Sequence, residues 1–297
     1  MLSSIYTKFF AFITAVVLTF YTPTAVVQVN PSKQIKPVRS ADLTVMSYNL
    51  KVSGVGQYAP AKRAPSVIEN IRVYKPDSFG VQECSEFWYD ALRDEMTEYG
   101  SVGLGRDKDN TGEASPVFYL KSKYKLVDSG TFWMSETPEE VSKGWDAAYN
   151  RVCTYAVLEN IKTGFTYAHF NAHFDHLGIV ARIESVSVVS KKAAEICKDI
   201  PLVFTGDLND EEGSVMYERI LESGMRDTKY LADEMTDLAT YHGYSALTEA
   251  MRTKPIDFCF VNYLCTGVDS YKVDMTKYNG IYPSDHHPII IELTLGN

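Results

Sequence analysis

Residues that can bind a metal ion, move a proton or hold a phosphate recur at the ends of predicted strands. Carboxylate and amide oxygens are the ligands that Mg²⁺ and Mn²⁺ prefer, while imidazoles and carboxylates serve as acids and bases. Polar groups at strand ends are also where α/β folds place reactive chemistry. The residues in question are Asn49, Glu83, Asn171, His173, Asp207, Asn209, Asp257, Asp285 and His286.

Two of these positions are hard to explain by folding alone. Asp257 interrupts an apolar strand pattern, and a carboxylate buried in such a strand needs a partner. Asn171, His173 and Asp175 alternate with apolar residues, which places their side chains on one face of a strand. This density of ligand-type residues is unusual for a core strand, although a solvated edge strand would also tolerate it.

The other positions also fit an ordinary structural interpretation. Asp207 and Asn209 resemble turn chemistry, because Asp and Asn are turn formers. Glu83 could cap the helix predicted to follow it, and residues 284–288 could form an exposed turn. The order of the segments along the chain therefore has to decide between the two interpretations.

The predicted elements combine βα units with a central run of strands. Strand patterns over 43–49 and 79–83 are each followed by a short helical pattern, and four strand patterns succeed one another over 115–174. The longest helical pattern covers 179–200 and precedes a buried strand at 202–206. This order predicts an α/β (α+β) sandwich of two packed mixed β-sheets flanked by helices.

The polar segments, taken in order, resemble those of the endonuclease/exonuclease/phosphatase superfamily, whose fold is like that of deoxyribonuclease I. The resemblance extends over nearly all of 43–295, and each matching segment lies at a strand end. The segments are Ser47-Tyr-Asn49, Val81-Gln-Glu83, Asn171-Ala-His173, Thr205-Gly-Asp207-Leu-Asn209, Ile256-Asp257-Phe258 and Ser284-Asp285-His286.

The resemblance implies a divalent-metal-dependent hydrolase of phosphate esters, either a phosphodiesterase or nuclease or a phosphatase. Glu83 would ligate the cation directly, with Asn49 and Asp285 close by. A metal is also what the chemistry requires, since charge building on the phosphate oxygens must be neutralised. The expected cofactor is Mg²⁺ or Mn²⁺.

The resemblance also implies roles for four residues that handle protons. Asp207 would orient or deprotonate the attacking water. His286, oriented by Asp257, would act as a base or stabilise charge at the phosphate, and His173 would be a second imidazole that stabilises charge or protonates the leaving oxygen. Which group is the general base stays open at this point.

Three further residues are implied in holding the phosphate, namely Arg151, Asn171 and Asn209. The substrate itself is restricted by charge. Residues 1–40 contain four basic residues and no acidic one, so the formal net charge of −9 for the whole chain leaves −13 on residues 41–297. An acidic surface repels long polyanions. We therefore expect a short or lipid-like phosphate ester, and nucleic acid is disfavoured without being excluded.

Two alternatives from other classes remain. His173, Asp175, His176 and His242 could form a zinc-dependent hydrolase site, since the H-x-D-H spacing suits a metal. A non-catalytic binding module on the same fold is the second alternative, although none of the expected reactive residues is missing. Metal analysis of the purified protein would separate the two.

The N-terminus resembles a targeting sequence. Lys8 precedes an apolar run from Phe9 to Phe20, which suits a signal peptide or, less well, a membrane anchor. Pro31 to Ser40 has the composition of a linker. The predicted organisation is a targeting segment with linker at 1–40 and one catalytic domain at 41–297, in a secreted or membrane-anchored protein outside the cytoplasm. A helix or strand packed on the domain is the alternative for this segment.

Overall fold

Two mixed β-sheets pack face to face, and helices cover their outer faces. The computed structural model describes residues 21–29 and 41–295. The α-helices in these ranges are α1 (Pro60–Tyr74), α2 (Glu86–Glu95), α3 (Ile179–Ile196), α4 (Val215–Glu222) and α5 (Ala246–Met251). The strands are β1 (Ala41–Asn49), β2 (Ser78–Gln82), β3 (Tyr99–Val102), β4 (Gly105–Asp107), β5 (Thr111–Ala114), β6 (Val117–Leu120), β7 (Tyr124–Trp133), β8 (Val152–Asn160), β9 (Thr166–His173), β10 (Leu202–Asp207), β11 (Arg226–Asp227), β12 (Ala232–Met235), β13 (Asp257–Val261), β14 (Cys265–Val273) and β15 (Ile289–Leu295).

The strand order explains how distant motifs meet. The first sheet has the order β12-β14-β15-β1-β2-β6-β3, and the second has the order β11-β13-β10-β9-β8-β7. At the centre of the first sheet β1 runs parallel to β2, and at the centre of the second β9 runs parallel to β10. Each parallel pair brings the carboxyl ends of its two strands to the same edge. The predicted sandwich of two mixed sheets with flanking helices is confirmed.

Three apolar layers hold the sheets and helices together. Alternate residues of β1 and β15, such as Val45 and Ile291, meet β8 and β10 between the sheets. Residues of α1 and α2, such as Ile71 and Trp88, pack on the outer face of the first sheet. The helices α3 and α4 cover the outer face of the second sheet in the same way. Burial of large apolar side chains stabilises each layer by about 1.5–3 kcal/mol per side chain.

A short segment before the domain also contacts it. Thr24 N donates to Glu184 Oε1 at 2.8 Å, and Val29 N donates to the carbonyl of Ser223. The predicted targeting run Phe9–Phe20 and the predicted linker lie outside the described residues. No helix within 21–29 and 41–295 has both the length and the apolar character needed to cross a membrane.

Candidate active site

The ends of the central strands open into one cavity of about 390 Å³. Parallel pairing places Asn49 beside Gln82 and Asp207 beside His173, and antiparallel pairing places Asp257 opposite Asp207. Motifs that are far apart in the sequence therefore meet at one edge of the sandwich. The residues predicted from the sequence that line this cavity are Glu83, Arg151, His173, Asp207, Asn209, Asp285 and His286.

Three cavity residues adopt a backbone conformation that side chains other than glycine rarely take. The φ angles of Lys51, Glu83 and Asn209 are 55°, 55° and 52°. Each residue lies one or two positions beyond a strand, where the left-handed conformation turns the chain sharply. Such conformations are destabilising by about 1–3 kcal/mol each and concentrate at functional sites. Here each one lies at the cavity wall.

Asn49 joins two of the carboxylates. Its Nδ2 donates to Glu83 Oε1 at 3.1 Å and to Asp207 Oδ2 at 2.8 Å. Its Oδ1 accepts from the backbone of Lys51 at 2.9 Å, which fixes the orientation of the amide. On the opposite wall the Lys51 ammonium lies 2.7 Å from Asp285 Oδ2. Burial opposes the charge on Lys51, but the hydrogen bond with Asp285 raises its pKa.

The residues fit a hard divalent cation. Glu83, Asp207 and Asp285 all face the cavity, and a divalent cation would compensate their charge, of which Lys51 offsets only that of Asp285. In addition, one ligand atom from each of Asp207, Asp257 and His286 lies within 4.8 Å of the others. Asp257 and His286 bond to each other in this second group, whereas Glu83 and Asp285 accept from Asn49 and Lys51, bonds that they would exchange for a metal. The carboxylates of Glu83 and Asp285 are of the ligand type that suits Mg²⁺ or Mn²⁺.

Asp207 lies between two imidazoles. His173 Nε2 is 3.6 Å and His286 Nε2 is 3.8 Å from Asp207 Oδ2. Burial, followed by the nearby charge of Asp257, raises the pKa of Asp207 to about 7. Asp207 therefore combines a buried, proton-attracting carboxylate with two ring nitrogens that can share a water or a phosphate oxygen.

His286 is held by Asp257. Asp257 Oδ2 accepts a hydrogen bond from His286 Nδ1 at 2.9 Å, which aims Nε2 toward Asp207. Burial works against a charged imidazole, but Asp257 outweighs it and the pKa of His286 rises to about 10. Among the described residues, the other oxygen of Asp257 is buried without a hydrogen-bond partner. The carboxylate is thus committed to orienting and charging the imidazole.

His173 is held by Asn209 in its neutral form. Asn209 Nδ2 donates to the carbonyl of Phe174 and lies 3.0 Å from His173 Nε2. Since a carbonyl only accepts, the nitrogen is the amino group, and His173 Nε2 is the acceptor. The proton of the neutral ring is therefore on Nδ1, which lies 4.0 Å from Glu113 Oε2. Burial, followed by Arg151, lowers the pKa of His173.

Arg151 forms one wall of the cavity, where it is fixed by Asp175. Its Nε lies 3.2 Å from Asp175 Oδ2, and its Nη2 lies 3.1 Å from His176 Nδ1. Burial opposes the negative charge of Asp175, yet hydrogen bonds from the amides of Gly178, Ala148 and Leu177 lower its pKa. Asp175 therefore anchors a loop and a guanidinium.

The zinc site considered as an alternative is not assembled. In the part of the chain that the structure describes, the one group of three or more such ligands is Asp207, Asp257 and His286. Asp175 is occupied by Arg151 and backbone amides. His242 lies elsewhere, with its ring stacked 4.5 Å from that of His287. The H-x-D-H spacing reflects loop anchoring.

Asn171 does not occupy the position that its predicted contact with phosphate requires. Its Nδ2 donates to the carbonyls of Val81 and Pro116, and its Oδ1 accepts from Gln82 and Thr205. All of these bonds lie in the interior between the two sheets, and the side chain is fully buried. The prediction is therefore corrected: Asn171 ties the sheets together below the cavity.

We expect Asn171→Ala to destabilise the fold without a specific catalytic defect. It would remove the donor to two buried carbonyls and one of the two acceptors of Gln82, so the free energy of unfolding should fall by about 2 kcal/mol or more. Urea denaturation measures this loss. Asn209→Ala is the matched variant, because Asn209 reaches the cavity, and it should lower kcat/KM with a smaller effect on stability. Full stability together with a large kcat/KM loss in Asn171→Ala would restore the phosphate role.

The cavity also contains residues that the motifs did not reveal, namely Lys51, Arg106, Glu113, Tyr149, Tyr241 and Arg252. Arg106 and Glu113 come from the hairpin β4–β5, which has no apolar alternation. Tyr149 is half exposed. The Arg106 guanidinium carbon lies over its ring, 4.7 Å from the centroid of the Tyr149 ring. The Tyr241 ring lies 4.8 Å from that of His286. Lys51 is the one with a sequence signal, since it follows the first motif by two positions.

Comparison with known proteins gives several similar structures. An endonuclease/exonuclease/phosphatase from Bacteroides vulgatus is 32% identical, with a TM-score of 0.81 over 86% of this chain and 99% of that one. A mannosyl-6-phosphatase from Bacteroides thetaiotaomicron is 31% identical, with a TM-score of 0.79 over 84% of this chain and 99% of that one.

Comparison of the sequence alone finds fewer similar proteins than comparison of the structure. No family model matches the sequence. An uncharacterized protein of Acanthamoeba polyphaga mimivirus is 27% identical over 150 residues, which is 43% of this chain. The match spans only 21% of the length of that viral protein.

Proposed function

The chain belongs to the endonuclease/exonuclease/phosphatase family, and we propose that it is a phosphatase that hydrolyses a small phosphate ester with Mg²⁺ or Mn²⁺. The observation that carries this proposal is the convergence of Glu83, Asp207, Asp285, His173 and His286 on one cavity. It contains carboxylates for a cation, a carboxylate for water and, in His286, an imidazole for a phosphate oxygen.

In the proposed reaction, the ester P–O bond breaks while a new bond forms between phosphorus and the water oxygen. A bound divalent cation would neutralise charge on the phosphate oxygens; Glu83 and Asp285 would hold it. Asp207 orients the water and takes up its proton, because it is the carboxylate within 4 Å of both imidazoles. The departing alcohol oxygen takes up a proton from solvent, and Asp207 then releases to solvent the proton that it accepted, so the protons balance.

His286 and Arg151 would hold the phosphate in different ways. His286 is fixed and charged by Asp257, so it offers a cationic N–H to a phosphate oxygen. Arg151 lines the same cavity and offers a further donor, since its Nε and Nη2 are used by Asp175 and His176 but, within the described ranges, Nη1 is not. Asn209 holds His173 in place. Donors that are fixed in advance contribute most where charge develops in the transition state.

Charge favours a small substrate over a polymer. Each basic side chain that lines the cavity is paired with a carboxylate: Lys51 with Asp285, Arg106 with Glu113, Arg151 with Asp175, and Arg252 with Glu211. A protein that binds a long polyanion concentrates unpaired positive charge along the track. The similar mannosyl-6-phosphatase supports a sugar phosphate as the substrate class.

The test is an activity panel in the presence of Mg²⁺ or Mn²⁺. It compares mannose 6-phosphate, p-nitrophenyl phosphate, bis-p-nitrophenyl phosphate, sphingomyelin, and single- and double-stranded DNA and RNA. We expect the highest kcat/KM for a small monoester. We also expect weak salt dependence, since contact with Z phosphates of duplex DNA gives a log–log slope of about −0.9Z. A preference for duplex DNA with a slope of roughly −5 or steeper would replace the proposal with a nuclease.

A further inference from the structure

A second cavity of about 790 Å³ lies beside the catalytic one. It opens between α2 and the hairpin β4–β5, and Ser101 and Gly103 near the end of β3 form part of its wall. Its volume lies within the range of about 300–1,000 Å³ that is usual for small-molecule sites. Apart from Arg106 and Glu113, none of the described residues that line this cavity also lines the catalytic one.

The two cavities share a wall. Arg106 and Glu113 line both, and they are joined by a hydrogen bond of 3.0 Å. Arg106 is buried, and among the described residues its Nε has no hydrogen-bond acceptor; a carboxylate oxygen of Asp107 is 4.0 Å away. A buried donor without an acceptor is destabilising by about 1–3 kcal/mol, which a ligand at this wall would relieve.

His173 connects this wall to the reacting groups. One of its ring nitrogens is 3.6 Å from Asp207 Oδ2, and the other is 4.0 Å from Glu113 Oε2. In phosphoryl transfer the attacking and leaving oxygens lie roughly in line on opposite sides of phosphorus. With water held at Asp207, the leaving oxygen points away from Asp207. Glu113 lies on the far side of the His173 ring from Asp207, and it borders the second cavity.

We propose that the second cavity holds the alcohol part of the substrate, and that this part is an uncharged, hydroxyl-rich group of the sugar class. The proposal rests on the phosphatase activity proposed above and adds the position and chemistry of the leaving group. It gives the hairpin β4–β5 a function, which is to separate the phosphate position from the sugar position while contributing Arg106 and Glu113 to both.

The lining of the cavity matches such a ligand. Four carboxylates and two guanidinium groups line it: Glu86, Asp90, Asp109, Glu113, Arg93 and Arg106. One guanidinium is paired with Glu113, and the other, of Arg93, lies 5.4 Å from the ring centroid of Tyr89. An excess of carboxylates repels a second phosphate, whereas sugar hydroxyls donate strong charge-assisted hydrogen bonds to carboxylates.

The test compares Glu86→Gln/Asp90→Asn with the wild type. The matched control is Asp94→Asn, since Asp94 is exposed on the same helix and lies outside the cavity. The readout is the ratio of kcat/KM for mannose 6-phosphate to that for p-nitrophenyl phosphate, whose leaving group has no sugar hydroxyls. We expect this ratio to fall roughly tenfold or more in the double variant, because hydrogen bonds to charged groups are lost, and to stay at the wild-type value in the control.

A second measurement separates this inference from the proposed activity. Calorimetric binding of mannose 6-phosphate to the unaltered protein and to the double variant, without metal, requires no turnover. A dissociation constant raised about tenfold in the double variant supports the sugar site even if no substrate is hydrolysed, in which case only the proposed activity fails. An unchanged kcat/KM ratio with unchanged binding overturns the sugar site and leaves the phosphatase proposal intact. A wild-type preference for glucose 1,6-bisphosphate over glucose 6-phosphate overturns it as well.

Discussion

Dialysis against EDTA is expected to abolish phosphate-ester hydrolysis, and added Mg²⁺ or Mn²⁺ is expected to restore it. Glu83, Asp207 and Asp285 converge on the cavity, and within it the Lys51 ammonium is the cation closest to Asp285. Hydrolysis needs the metal because the negative charge that develops on the phosphate oxygens beside these carboxylates must be neutralised in the transition state. The loss of activity should therefore be complete within the sensitivity of the assay.

Glu83→Gln tests which side chain holds the metal. It keeps the shape of the side chain but removes its charge, so the metal concentration for half-maximal activity should rise by about 10–100-fold. Direct titration with Mn²⁺ by calorimetry should show the same shift. Glu292→Gln is the matched control, because Glu292 lies on β15 and hydrogen-bonds to Ser270. Full activity in metal-free buffer would contradict the assignment, and restoration by zinc alone would favour a zinc enzyme.

Much of the fold follows from local patterns in the sequence. The strand β8 is predicted with its exact bounds because its apolar residues leave no other interpretation, and α3 is predicted from its first residue, with an end four residues too late. The hairpin β4–β5 is not predicted, because Gly105–Ala114 is rich in Gly, Asp and Asn and lacks alternation. Its position depends on contacts with α2, on the pairing of Ala114 with Cys84 and on the hydrogen bond from Trp133 to the carbonyl of Arg106, which local patterns do not contain.

In the site, too, local sequence patterns predict some residues, while the positions of others depend on contacts between distant segments. Motif residues at strand ends are placed together, since parallel strands bring their carboxyl ends to one edge. Asn171 is misassigned because alternation specifies a face but not a depth: His173 reaches the cavity two residues later, while Asn171 lies where Gly80 brings the sheets close. A Cβ at Gly80 would lie 2.4 Å from the Asn171 amide. Arg106 and Glu113 are missed because their role comes from the unpredicted hairpin.

Asp207→Asn is expected to lower kcat by about 10²–10⁴-fold, the usual contribution of a positioned acid or base. The substitution keeps the size of the side chain and can retain the bond with Asn49, but it removes the charge that faces His173 and His286. KM should change much less than kcat, because the phosphate donors remain. Single-turnover kinetics with the best substrate of the panel measures the effect.

Asp227→Asn is the matched control for this change. Asp227 is also a buried aspartate of the second sheet, but it accepts from Tyr217 and the backbone of Lys229, away from the cavity. The Asp227 substitution should lower the melting temperature and leave kcat unchanged. Asp207→Asn should lower kcat and leave the melting temperature nearly unchanged. A kcat loss under about tenfold in Asp207→Asn would contradict its role with the water, given the usual size of such contributions.

The combination with His286→Ala decides whether Asp207 acts alone. If Asp207 and His286 position one water and one phosphate oxygen together, removing the second group after the first should add little, so the two losses should not multiply. The distance of 3.8 Å between His286 Nε2 and Asp207 Oδ2 favours this coupling. Losses that multiply fully would show two independent groups, and His286 would then act on the phosphate without help from Asp207.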